Sequence, residues 1–229
     1  DAGAASGRYA IIVGENDGDR SEVTLRYAES DARRLAEVLR TVGGFYPENI
    51  LLLNKISGDD FRRAVIGLNA RLRQEAGHAL LFVFYSGHAD AGSLHLKGSV
   101  LPLDELRKLV QGSAAAVRLL VVDACRSGTI TRVKGVQPAA TFSLQLEDQS
   151  VAEGMAILTS SAAGESSQES DRLRGSFFSH HLVNALRGAA DRNGDGRVTL
   201  TEAYAYTYDQ TLRSSGRTLE LQHPTYRSE

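Results

Sequence analysis

Two short stretches carry residue types able to do nucleophilic chemistry. "YSGHAD" (85–90) holds His88, and "VVDACRSG" (121–128) holds Cys125, the one cysteine of the 229-residue chain. A thiolate is the attacking species of a cysteine, and an imidazole that titrates near neutrality can take the thiol proton or pair with the thiolate. Each residue follows a short apolar run, "LLFVFYS" or "RLLVVDA", that reads as a buried strand. If those strands are neighbours, about 4.8 Å apart, the two loops face each other across a cleft. Taken singly, a cysteine after a strand is most often a small buried hydrophobe, and a histidine in a Gly-containing loop is most often solvated. Their joint placement at the ends of two successive strands favours the reactive pair. The other histidines, His78, His95, His180, His181 and His223, do not close a strand with a Ser-Gly turn.

The elements that must position this pair alternate along the chain. "RYAIIVG" (8–14), "NILLL" (49–53), "ALLFVFYS" (79–86), "VRLLVVDA" (117–124) and "MAILTSS" (155–161) are unbroken enough to be buried on both faces, as parallel strands are. Between them, residues 25–42 place Leu25, Ala28, Ala32, Leu35, Leu39 and Val42 on one helical face. Residues 59–76 do the same with Phe61, Val65, Leu68 and Leu72. Two further helical patterns cover 176–188 and 199–214, and "SLHLKGSVL" (93–101) reads as a small hairpin. This alternation predicts an α/β fold, a three-layer α/β/α sandwich with a mainly parallel sheet. In such sheets ligands bind beyond the carboxyl ends of the strands, which is where His88 and Cys125 fall. The segment 129–153 lacks periodicity and is long for a loop inside a domain, a length usually associated with function.

Composition excludes several classes of function. A formal net charge of −2 and no basic run give no footprint for nucleic acid. No apolar stretch approaches the roughly 18 residues needed to span a bilayer. One cysteine cannot form an internal disulfide, so the redox compartment is not legible. The small, polar start "DAGAASG" (1–7) reads as a flexible segment or the scar of a removed export signal, which leaves localisation open. The first strand runs into "VGENDGD", with neither GxGxxG nor a P-loop, and this disfavours a nucleotide-binding protein.

"YSGHAD" and "VVDACRSG" resemble the histidine and cysteine motifs of the caspase-like cysteine peptidases, the clan of caspases, metacaspases and bacterial caspase-family proteins. "RYAIIVGEND" with "LRYAESDARRLAEVL" resembles the start of that domain. "ILTSSAAGESSQES" with "GSFFSHHLVNALRG" resembles its later half, so the likeness spans one domain over residues 8–227. It implies a caspase-type sandwich, with Cys125 as nucleophile and His88 as general acid/base. It also implies an oxyanion hole made by the N–H groups of Cys125 and Ala89. The family usually has Gly where this chain has Ala89, and a positive φ there would cost an alanine energy. Animal caspases bind an Asp side chain with arginines, whereas metacaspases bind Arg or Lys with acidic residues. The matching positions here are Asp31 and Asp123, which implies cleavage after Arg or Lys, with a bidentate hold on a guanidinium. Caspases also carry a cleavable linker after the cysteine strand. The equivalent segment here contains Arg132 and Lys134, so self-cleavage is expected there.

"DRNGDGRVTLTE" (191–202) fits an EF-hand loop, with Asp191, Asn193 and Asp195 at positions 1, 3 and 5 and Gly196 at 6. Arg197 at position 7 would give its carbonyl, and Glu202 at 12 would be bidentate. The alternative is an Asp/Asn/Gly turn capping the helix that starts near Thr199. No second EF-hand loop is present to pair with it. The reading that accommodates most of these features is a cysteine endopeptidase that needs no cofactor for catalysis, has one possible Ca²⁺ site, and acts on protein or peptide substrates with a basic P1 residue. No nucleic-acid partner and no membrane insertion are expected, and the oligomeric state is open. Competing readings are a catalytically silent caspase-like scaffold and a calcium-responsive interaction domain.

Overall fold

The computed structural model describes residues 7–18, 22–75, 78–124, 154–218 and 220–228. Cys125, Arg132, Lys134 and the whole loop expected at 129–153 lie outside the described residues, as does the expected flexible start apart from Gly7.

The order of elements is β1 (Arg8–Gly14), α1 (Ala28–Thr41), β2 (Ile50–Asn54), α2 (Gly58–Leu72), β3 (Leu80–Ser86), β4 (Ser93–Leu96), β5 (Ser99–Pro102), α3 (Leu103–Gln111), β6 (Val117–Asp123), β7 (Gly154–Thr159), β8 (Glu169–Ser170), β9 (Gly175–Ser176), α4 (Phe177–Asn184), α5 (Leu200–Ser215) and β10 (Thr225–Ser228). Six strands form the main sheet in the order β10-β7-β6-β3-β1-β2. All neighbours are parallel except β10, which runs antiparallel to β7. Side chains alternate across the sheet with a period of two. Ile11, Val13, Leu81, Val83, Leu120, Val122 and Ile157 pack with Phe61, Val65 and Leu68 of α2 and Leu106 and Val110 of α3. Ala10, Ile12, Phe82, Phe84, Val121 and Leu158 face the other way, onto Ala32, Leu35 and Leu39 of α1 and Phe178 and Leu182 of α4. The three layers follow from that alternation.

Several expectations are revised. β2 is an edge strand rather than one buried on both faces, and Leu52 is 39% exposed. α1 begins at Ala28 and ends at Thr41, so Leu25 and Val42 fall outside its apolar stripe, and Val42 is exposed. α4 stops at Asn184 and passes into one π-helical turn over Ala185–Ala189. α3 and β10 are additions to the elements read from the sequence.

The register aligns the ends of the central strands. Gly14 lies opposite Ser86, and Ser86 opposite Asp123. The row continues one residue on: Glu15 N–H donates to the Ser86 carbonyl and Gly87 N–H donates to the Asp123 carbonyl. β2 and β3 leave β1 on opposite sides, so the sheet's switch point lies at this same edge.

Candidate active site

A small pocket opens beyond the carboxyl ends of β3 and β6. Ser86 ends the first strand and Gly87 and His88 follow it, while Asp123 ends the second and Ala124 follows it. Leu25 closes one side; Ser167, Glu169 and Ser176 close the other. His88 therefore sits where its position after β3 places it. Cys125 is two residues past the end of β6 and outside the described residues.

The His88 ring is held by its Nε2, 2.9 Å from the carbonyl oxygen of Val23. A carbonyl only accepts, so this partner assigns the Nε2 proton and leaves Nδ1 as the basic nitrogen of the neutral ring. Ala89 forms an isolated antiparallel bridge with Leu94. The flanking bonds run from His95 N–H to the His88 carbonyl and from Asp90 N–H to the Ser93 carbonyl. In a pair of that kind the residue's own N–H points away from its partner strand. The Ala89 amide is thus not consumed by the hairpin ladder. Among non-glycine residues described, only Lys55 and Arg174 have positive φ. Alanine in place of the family's glycine carries no left-handed penalty here.

Asp123 is buried at 3% exposure and ringed by hydroxyls. Ser167 Oγ donates to Oδ1 at 2.6 Å, while the Ser176 and Ser179 hydroxyls both donate to Oδ2. Ser176 is also the N-cap of α4: its oxygen accepts the Ser179 N–H at 2.9 Å. The carboxylate thereby faces the positive end of that helix. Asp31, buried at 2% exposure on α1, accepts the Ser176 N–H at 2.8 Å. Arg34, one turn on, stands 3.4 Å from its other oxygen. Burial pushes the Asp31 carboxyl up to about 8, and the nearby charge of Asp123 adds to the rise, against the pull of the Ser176 N–H and Arg34. Gly175 lies so close to Asp31 and Arg34 that a Cβ there would overlap both.

The structure brings His88 and Asp123 into one pocket and sets Asp31 behind Ser176, against that pocket's wall. Glu169 was not anticipated. It lines the same pocket, and its oxygens accept the Arg26 and Tyr27 N–H groups at 3.1 and 2.9 Å, fixing the entry to α1. The chemical character of the wall is acidic and rich in hydroxyls, suited to a cation with several N–H donors.

No residue of the 191–202 loop lines this pocket. Asp191 accepts the N–H groups of Gly194 and Gly196 at 2.8 and 3.0 Å. Gly196 turns sharply at φ +77°, as position 6 of such a loop requires. Glu202 closes a capping box with Thr199. Asn193 and Asp195 bond to each other, and Asp195 also accepts the Arg197 N–H. Among the described residues no three His, Cys, Asp or Glu side chains are grouped closely enough to hold a metal.

With this geometry in place, the comparisons with known proteins converge. The model of the caspase domain family matches residues 7–227, and the chain belongs to that family. The family is one of cysteine peptidases, hydrolases that act on proteins. The crystal structure of caspase-1 from Spodoptera frugiperda is similar in fold, with a TM-score of 0.68 at 18% identity, covering 98% of this chain and 87% of that one. No curated protein sequence matches. No helix among the described residues is long and apolar enough to cross a membrane.

Proposed function

We propose that the protein is a cysteine endopeptidase that cleaves after Arg or Lys, with Cys125 as nucleophile and His88 as general acid/base. The observation that carries this reading is the register of β3 on β6, which starts the His88 segment and the Cys125 segment side by side over one acidic pocket. In the proposed cycle the thiolate adds to the substrate carbonyl. The oxyanion is met by the N–H groups of Ala89 and Cys125, and the His88 imidazolium returns a proton to the departing amine, leaving a thioester on Cys125. Water, deprotonated by the now neutral His88, attacks that thioester, releases the carboxylate product and restores the thiolate–imidazolium pair. Asp123 forms the floor of the P1 pocket, with Glu169 on its wall and Asp31 behind Ser176.

The test is a fluorogenic peptide panel with Arg, Lys, Asp and Leu at P1, run on the wild type, Cys125→Ala and His88→Ala. Cleavage after Arg and Lys by the wild type alone is expected. Each substitution should cost about as much as both together, because the pair acts as a unit. Preferred cleavage after Asp would overturn the specificity, and retained hydrolysis in Cys125→Ala would overturn the nucleophile. A wild type inert on all four peptides would point to the silent scaffold.

A further inference from the structure

Beside the Nδ1 edge of His88 lies a line of charged groups that the peptidase reading does not use. Glu22 Oε1 is 3.7 Å from His88 Nδ1. The same carboxylate holds His95 Nδ1 at 2.8 and 2.9 Å through its two oxygens. His95 Nε2 in turn lies 3.3 Å from Asp90 Oδ2. With both carboxylates ionised, which only accept, both nitrogens of His95 donate and the ring between them is an imidazolium. Only 10% of that side chain is exposed. Asp90 is fixed by the N–H groups of Gly92 and Ser93 at 2.7 and 2.8 Å. The Tyr85 hydroxyl ties the two histidine backbones together, reaching the His88 and His95 carbonyl oxygens at 2.7 and 2.8 Å.

We propose that Glu22 and His95 form a charged brace beside the Nδ1 edge of His88, in which Glu22 is a positioning residue that favours the imidazolium form of His88. The proposal rests on the reading of His88 as the general acid/base. With the Nε2 proton committed to the Val23 carbonyl, the second proton enters at Nδ1, the nitrogen that also serves the thiol and the leaving amine, and Glu22 Oε1 lies 3.7 Å from it. Protonated, the series His88, Glu22, His95, Asp90 alternates in sign, and every charge has an opposite neighbour. Neutral, His88 turns a lone pair toward a carboxylate. Other charged groups also face His88: Asp123 from β6 and Glu169 from β8 share its pocket, while Tyr85, on β3, is held neutral by its burial. Glu22 is distinguished by its distance to Nδ1 and by being clamped from behind.

The measurement is an NMR titration of the His88 imidazole in the Cys125→Ala protein, which removes the thiol from the coupled equilibrium. Glu22→Gln should lower the His88 midpoint, because it removes an opposite charge 3.7 Å from Nδ1. His95→Gln, which removes a positive charge yet leaves Glu22 an amide donor, should raise it. Opposite shifts are the signature of charge, because loss of packing would not reverse sign between the two variants. In the protein with Cys125 intact, Glu22→Gln should lower kcat with little change in KM and move the alkaline limb of the rate profile to lower pH. The proposal is overturned if neither variant moves the titration, or if both move it the same way, in proteins whose melting temperatures match the parent. A wild type that cleaves no peptide would sink the peptidase reading and leave this titration to be judged on its own.

Discussion

Asp31 and Asp123 come from α1 and from the end of β6, and one residue hydrogen-bonds to both. Ser176 gives its N–H to Asp31 Oδ2 at 2.8 Å and its hydroxyl to Asp123 Oδ2. Two buried carboxylates bridged in this way cannot both ionise cheaply. The burden falls on Asp31, which burial and the Asp123 charge push up to about 8. At neutral pH the pair thus carries fewer than two negative charges until a cation arrives.

The sign of the resulting pH dependence can be worked out. A guanidinium entering beside Asp123 favours the ionised form of Asp31, so binding releases a proton below about pH 8. Affinity for an Arg-P1 peptide should rise with pH toward about 8 and then level off. Calorimetry on the Cys125→Ala protein in buffers of different ionisation enthalpy reads the released proton directly. Binding that releases no proton at pH 7 would remove Asp31 from the P1 environment. The folding stability runs the other way. Folded Asp31 keeps its proton to about 8 and an unfolded one to about 3.8, so stability falls as pH rises through that window. Asp31→Asn should therefore gain in melting temperature relative to wild type between pH 5 and pH 8.

Removing the charge at the pocket floor should cost more than removing it at the wall. Asp123 is buried and triply hydroxyl-bonded. Loss of a buried charge's partner costs roughly 3 kcal/mol, or about a hundredfold in kcat/KM for Arg-P1 peptides. Asp123→Asn should show that loss. Glu169→Gln should lose about tenfold, since the side chain keeps one acceptor for the Arg26 and Tyr27 amides. Equal turnover of Arg-P1 peptides by Asp123→Asn and wild type would mean that the cation binds elsewhere.

The parts of the fold read from the sequence are those set by periodicity within one segment. Phe61, Val65, Leu68 and Leu72 are all buried on α2 as their spacing predicts. The helix α3, which was not among the elements expected from the sequence, shows the same one-sided burial at Leu103, Leu106 and Val110. What escaped is set by partners distant in the chain. β8 and β9 are two residues each and exist only because Glu169 pairs with Ser176, so nothing in "SSQES" announced an acidic wall. β10 is four residues that gain their identity from pairing with β7. His95 gave no sign of its role because Glu22, which holds its Nδ1, lies 73 residues away in the chain. The edge of the sheet was readable, and the cage of serines around Asp123 was not.

Asp191, Asp195 and Glu202 are not grouped closely enough in this structure to hold a metal, so Ca²⁺ binding at 191–202 is proposed from the sequence pattern alone, and the capping box makes it separable from a purely structural role. Glu202 closes the box with Thr199, a task that glutamine performs as well. Only the carboxylate can give a divalent cation its bidentate ligand. Millimolar Ca²⁺ should raise the melting temperature of the wild type by mass action, while Glu202→Gln keeps the calcium-free melting temperature and loses the calcium shift. A wild-type melting curve indifferent to Ca²⁺ would leave the segment as a helix-capping turn.

Self-processing is the last expectation, and it uses the pocket's own chemistry. Arg132 and Lys134 lie in the segment between β6 and β7, and both are residues that an acidic P1 pocket would accept. Cleavage after either would separate the β6 side of the site from the Ser167, Glu169 and Ser176 side, which the sheet would still hold together through β6 on β7. The processed protein should therefore stay associated and be seen as two fragments only after denaturation. Incubating wild type and Cys125→Ala in parallel and measuring intact fragment masses distinguishes the cases. Fragments ending at Arg132 or Lys134 in the wild type alone are expected, and Arg132→Gln with Lys134→Gln should abolish them. The Asp123→Asn protein should process more slowly, by about the factor it loses on Arg-P1 peptides, because the same wall reads both substrates. Cleavage at these sites that persists in Cys125→Ala would assign it to a contaminating protease. An uncut wild type that still hydrolyses Arg-P1 peptides would show that the site is assembled without this cut.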